Sequence, residues 1–205
     1  MGDRYDSFPI FPLPLVLLPT ELAPLHIFEE RYKRMINICI EDATEFGIVW
    51  LGDSGLAEVG CTARITELID RMDDGRMNIL VRGERPFRLL RRIDDLAYPA
   101  GEIEVLEDDD DASSLHAEAA RSSYAEVVEK ATDERPKDED LAEMDAYRMA
   151  ATIELEPALK QKLLDSRSED ERLEMVEELF EKAVERLERA EHVSEVARSN
   201  GKVRF

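Results

Sequence analysis

Prolines at positions 9, 12, 14, 19 and 24 punctuate the apolar run FPIFPLPLVLLPTELAPLHIFEERY over residues 8–32. Each proline removes a backbone donor, so an extended segment that carries them must lie at a sheet edge or contain bulges. Leu13, Leu15, Val16, Leu17 and Leu18 nevertheless demand burial. The period then changes abruptly. Phe28, Tyr32, Met35, Ile36 and Cys39 recur at helical spacing, with Glu29, Glu30, Arg31, Lys33 and Arg34 turned outward. The segment therefore predicts an interrupted strand that feeds directly into an amphipathic helix.

The sequence up to residue 106 reads mainly as further strands. FGIVWL, residues 46–51, is a nearly continuous apolar run, as expected of a strand covered on both faces. Residues 59–70 and 77–85 flank DDGR, in which Asp74-Gly75 is a strong hairpin signal. A third strand is predicted after Gly83, with Phe87 and Leu89 on one face and Arg88, Leu90 and Arg92 on the other. Glu102-Ile103-Glu104-Val105 alternates strictly. Five or six short strands, one early helix and glycine-rich corners imply a compact, partly closed barrel.

EDDDDASS, residues 107–114, reads as a solvated linker. An acidic metal loop is the sharper alternative, but the run lacks the glycine and the later glutamate of a calcium loop. Beyond it the period is helical. Ser114 is placed to cap a helix over residues 115–131, a second helix is predicted over 138–153, and Pro157 suits the first turn of PALKQKLLD. A long last helix is predicted from about Ser168, where Glu171 completes a capping box. Its apolar stripe holds Leu173, Val176, Leu179, Phe180, Ala183, Val184 and Leu187, to about Arg189. The expected organisation is thus α+β: a β-rich part over 1–106, a linker over 107–114 and a helical part over 115–205.

Taken in order, FPIFPLPLVLLPTELAPLHIFEERYKRMI, EFGIVWL, VGCTARITEL, DGRMNILVRGERPFRLL, YPAGEIEVLED and KQKLLDSRSEDERLEMVEELFEKAVERL resemble the N-terminal, substrate-binding domain of Lon proteases, specifically its free-standing bacterial form. The closing RSNGKVRF resembles the tails of such members. The resemblance implies a PUA-like β-barrel followed by a helical bundle, working as a polypeptide-recognition module. In full-length Lon this region precedes an AAA+ motor and a Ser-Lys protease. No G-x-x-x-x-G-K-[ST] phosphate loop occurs in the 205 residues, and the resemblance implies an expected chain end where the motor would start.

The residue inventory offers little independent chemistry. His26, His116 and His192 are scattered over different predicted elements. His26, at the strand-to-helix junction, reads as packed or hydrogen-bonded, and the other two as surface residues. Cys39 and Cys61 lack disulfide or metal spacing and read as small buried residues of a reduced protein. There is no nucleophile elbow, H-E-x-x-H or Cys-x-x-Cys. No enzyme, cofactor or metal is expected. With neither a secretory signal nor a long enough apolar run, a cytoplasmic protein is the default.

For binding, the candidates are Leu22, Leu25, His26, Phe28, Glu29, Arg31 and Trp50, around the strand-to-helix junction and a strand end. For each, core packing or a solvated face is the plainer alternative. The expected partners are unfolded or exposed polypeptide segments or a folded protein, in an adaptor or regulatory role in proteolysis. Docking on a full-length Lon through the last helix is a further possibility. The competing class is RNA binding, since PUA-type folds often bind RNA and Arg82, Arg85, Arg88, Arg91 and Arg92 cluster in sequence. Charge opposes it. The chain carries −21 overall, with 19 acids against 12 bases to residue 106 and 29 against 15 thereafter, a field that repels phosphate backbones.

Overall fold

The structure, a computed structural model, describes residues 2–93, 95–109 and 116–200, with side chains given to residue 189. In chain order the elements are β1 (Arg4–Leu13), β2 (Leu22–Ile27), α1 (Glu30–Glu41), β3 (Phe46–Gly52), β4 (Gly55–Leu56), β5 (Val59–Arg71), β6 (Met77–Ile93), β7 (Ala100–Val105), α2 (Ala117–Thr132), α3 (Asp138–Ala142), α4 (Ala146–Ala150), α5 (Pro157–Asp165) and α6 (Glu169–Asn200). They form two compact units, Met1–Asp111 with Ala150–Ser168, and Ala112–Met149 with Glu169–Phe205. The helix α5, grouped by sequence with the helical part, belongs to the strand-bearing unit. Two side chains account for this: Gln161 donates to the Val59 carbonyl at 3.0 Å, and Lys160 pairs with Glu21.

In the first unit the strands pair in the order β1-β7-β6-β5-β3, and a parallel β1–β3 pairing completes the ring. The short β4 extends β3, and β2 lies along β6. Residues at near-zero exposure fill the interior, among them Phe46, Ile48, Ile79, Val81, Phe87 and Ile103. At about 25 cal/mol per Å² of apolar surface removed from water, this burial is the main stabilising term.

The prolines fit the ring for a geometric reason. β1 pairs with β7 up to Pro9 and with β3 only from Ile10, with an irregularity between Tyr5 and Phe8. The Ile10 amide donates towards the β7 side, to Pro99 O at 2.9 Å. Amides alternate along a strand, so the Pro9 nitrogen faces the side where β3 has not begun. The Pro12 nitrogen faces the side where β7 has ended. In β2, the Gly83 amide bond to Glu21 O sets the same alternation and turns the Pro24 nitrogen to the unpaired edge.

Gly83 does not start a new strand: β6 runs unbroken for 17 residues. Its role is close approach. A Cβ there would lie 2.0 Å from the Leu18 carbonyl oxygen, and the crossing is fixed by Thr20 N–H to Gly83 O (2.8 Å) and Gly83 N–H to Glu21 O (2.9 Å). On α1, Tyr32, Met35, Ile36 and Cys39 are buried as the spacing predicts. Phe28 precedes the helix and is 59% exposed, so it is not part of the stripe. Lys33 also departs from expectation. It is mostly buried, pairs with Glu30 at 2.8 Å and donates to the Asp74 carbonyl at 2.9 Å, tying α1 to the hairpin turn.

In the second unit, Tyr124 of α2 packs against Phe180 of α6 with ring centroids 5.4 Å apart, and Leu173 and Val176 are buried beside them along the stripe. The predicted helix over 138–153 is instead two short helices. Asp145 Oδ1 accepts the Arg148 amide (2.7 Å) and Glu169 Oε1 accepts the Ala146 amide (2.8 Å), which caps a new helix start at Ala146. α6 begins at Glu169, next to the expected start, and continues past Arg189 to Asn200. The proposed Ser114 cap lies outside the described residues, as does most of the acidic segment. Among the described residues no helix is long and apolar enough to cross a membrane.

Candidate functional site

The strand-to-helix junction opens onto a groove of about 690 Å³ in the first unit. Its floor is formed by Phe11, Pro12 and Leu13 at the end of β1, Pro14 just after it, and Tyr32 of α1. Phe11 and Tyr32 are themselves buried, with ring centroids 4.1 Å apart and planes inclined by 32°. Phe28 stands on one wall and Leu51, 50% exposed at the end of β3, on another, with Leu56 and Pro99 completing the apolar lining. Exposed aromatic and aliphatic side chains over a concave apolar floor are what a recognition surface for apolar segments requires.

The polar groups of the groove are held by one another. Glu29 and Arg31 pair at 2.9 Å, and the Arg31 guanidinium lies 4.6 Å from the Tyr32 ring centroid. His26 Nδ1 and Asn78 Oδ1 are 2.7 Å apart, and the imidazole stacks on Phe28. This is the hydrogen-bonded histidine the sequence suggested, and no acid or nucleophile contacts it among the described residues.

Of the residues singled out by sequence, His26, Phe28, Glu29 and Arg31 thus meet in one groove. Leu25, within β2, is buried and takes no part. Leu22 is 57% exposed but lies at the far end of β2, outside the groove lining. Trp50 is half-buried and lines a different cleft, of about 610 Å³, with the β3–β4 hairpin, Val59, Arg88, Gln161 and Asp165. Gly55 and Leu56 belong to both walls, so the hairpin separates groove from cleft. Leu51, Leu56 and Pro99 were missed by sequence reasoning. Leu51 ends an apolar run, and only the hairpin that follows shows that the strand has left the core.

In the cleft, Gln161 is 8% exposed. Its Nε2 donates to the Val59 carbonyl (3.0 Å) and to Asp165 Oδ1 (2.8 Å), and its Oε1 is buried without a partner. Both neighbours of Nε2 accept only, so the amide orientation is fixed. A buried unmet acceptor of this kind costs roughly 1–3 kcal/mol.

The five arginines of β6 do not make a bare basic surface. Arg82 pairs with Glu84 at 2.9 Å, Arg85 lies 3.6 Å from Asp3 and 3.9 Å from Glu45, and Arg91 reaches Glu102 at 3.5 Å. Arg92 lines the groove and Arg88 the cleft.

Both cysteines are buried, and burial pushes both thiols up, Cys61 strongly so. Thiols so placed are poor nucleophiles. No group of His, Cys, Asp and Glu among the described residues is arranged to hold a metal ion.

The sequence matches the family model described as the ATP-dependent protease La (LON) substrate-binding domain over residues 7–182. The fold is similar to the crystal structure of a Lon N-terminal domain protein from Xanthomonas campestris, at 27% identity and a TM-score of 0.64, covering 84% of this chain and 97% of that one. It also resembles the N-terminal domain of Mycobacterium avium complex Lon protease, at 18% identity and a TM-score of 0.64, covering 86% and 98%, a likeness of fold alone. The chain belongs to the Lon substrate-binding domain family.

Proposed function

We propose that this protein is a non-enzymatic polypeptide-binding module that captures unfolded or exposed apolar segments in the groove between Phe28 and Leu51, and serves in the cytoplasm as an adaptor or regulator in proteolysis. The observation that carries this reading is the exposure of those two side chains over a floor of Phe11, Pro12 and Tyr32. Burying such side chains against an incoming apolar segment supplies about 1.5–3 kcal/mol each. The membership in a substrate-binding family supports the same reading. The paired carboxylate and guanidinium of Glu29 and Arg31 form a polar rim that adds orientation rather than affinity.

The test is titration with a permanently unfolded, alkylated globular protein. Saturable binding that persists at moderate salt supports the reading. Absence of binding contradicts it. The RNA alternative through Arg82, Arg85, Arg88, Arg91 and Arg92 has weaker support, because neighbouring acids already neutralise three of the five.

A further inference from the structure

We propose that a bound polypeptide pairs in extended form with the free edge of β2, which recognises its backbone, while the groove at the end of β2 receives its side chains. This rests on the polypeptide-binding reading and adds to it the conformation of the substrate and a contact that does not depend on its sequence.

Among the described residues β2 pairs with β6 on one side and with no strand on the other. The Gly83 amide bond to Glu21 O fixes the alternation: Ala23, Leu25 and Ile27 turn their backbone groups to β6, and Leu22, Pro24 and His26 turn theirs outward. No partner among the described residues meets these outward groups. The edge therefore presents two donors, the amides of Leu22 and His26, and three acceptors, the carbonyls of Leu22, Pro24 and His26.

An extended chain repeats its own N–H and C=O groups every second residue, so one strand laid along β2 meets this set. A helical segment, with its backbone groups bonded internally, would leave the edge unmet. On the outer face the same stretch offers apolar contact: Leu22 and Pro24 are exposed, and Leu80, opposite Pro24 on β6, is half-buried. The charges beside the edge are already matched, Glu21 by Lys160, Arg82 by Glu84 and Glu29 by Arg31, so the fitting occupant is uncharged there. At the other end of β2, His26 lines the groove with Phe28, and a strand on the edge runs on into it. A second copy of this chain fits less well. Two β2 edges paired about Pro24 would set two donor-less residues against each other, the device by which sheet edges are kept from joining.

The experiment is fluorescence anisotropy of the full chain with a short labelled peptide of leucine, threonine and serine, N-methylated at one peptide bond at a time. Methylation is expected to weaken binding about fivefold at every second position along the paired stretch and to leave the intervening positions unchanged. Pro24→Ala, at an exposed position, supplies the missing outward amide and should tighten the unmethylated peptide about fivefold. Circular dichroism verifies that this variant folds, and the methylation scan on the wild-type protein decides alone if it does not. A scan without two-residue alternation overturns the proposal, as does a folded Pro24→Ala protein that binds no tighter. If that variant instead dimerises in sedimentation with peptide affinity unchanged, the edge belongs to a second copy and the proposal also falls. If every methylated peptide binds like the parent but all are weakened by Phe28→Ser with Leu51→Ser, the groove reading stands while this one fails. If no peptide binds, both fail.

Discussion

The imidazole of His26 and the ring of Phe28 stack with centroids 5.8 Å apart and planes inclined by 22°. Only Glu29 separates Phe28 from the first turn of α1, and neither ring is buried. The stack holds Phe28 upright at the groove although most of the ring remains in solvent. His26→Ala is therefore expected to weaken polypeptide binding by a few-fold through loss of positioning, with stability changed by no more than about 0.5 kcal/mol. Isothermal titration beside urea denaturation separates the two effects.

Gly83→Ala should be among the most damaging single changes in the first unit. The new methyl would meet the Leu18 carbonyl oxygen, which the Thr20 and Glu21 backbone bonds hold in place. A loss of about 3 kcal/mol is expected in urea denaturation.

In the second unit the Arg172 guanidinium is 2% exposed, 2.8 Å from Glu169 and 4.5 Å from the Tyr147 ring centroid. Glu169 also accepts the Ala146 amide, so the pair joins α6 to the start of α4. Removing one partner leaves the other poorly compensated. Arg172→Ala should cost about 3 kcal/mol by thermal denaturation, while a well-packed apolar replacement such as Arg172→Met should cost less.

His116 titrates above its ordinary value because its ring bonds to Glu177 at 2.8 Å, with the charges of Asp170, Glu177 and Glu174 adding to the effect and partial desolvation opposing it. A raised folded value means that the stabilisation is complete below the unfolded histidine value and is lost as pH rises through the folded one. Glu177→Gln should lower the His116 titration midpoint in NMR and remove this part of the pH dependence.

The buried thiols of Cys39 and Cys61 should react with a disulfide reagent at mildly alkaline pH only after unfolding, since burial raises both and leaves little thiolate. Rapid labelling of either thiol in the native protein would contradict its placement.

Much of the fold was legible because it rests on short-range rules. The Asp74-Gly75 turn, the stripe of α1 and the Pro157 helix start each follow from a few neighbouring residues. The misreadings that matter most involve a distant partner. Gly83 looked like punctuation because the carbonyl that needs its missing side chain belongs to Leu18. The break before Ala146 depends on Glu169, and the sequence could not show that the two approach. In the candidate site, His26, Phe28, Glu29 and Arg31 were found together because they are adjacent in sequence. Leu51, Leu56 and Pro99 reach the same groove through barrel closure.

The central claim is tested most directly by comparing the wild-type protein with the double substitution Phe28→Ser and Leu51→Ser for binding of a permanently unfolded protein at moderate salt. Both side chains are at least half exposed, so folding should be unaffected, which circular dichroism and a denaturation midpoint can verify. The account predicts saturable binding by the wild type and a loss of affinity of at least about tenfold in the double variant. Binding that is unchanged by the double substitution, or that disappears with added salt in both proteins, would contradict it.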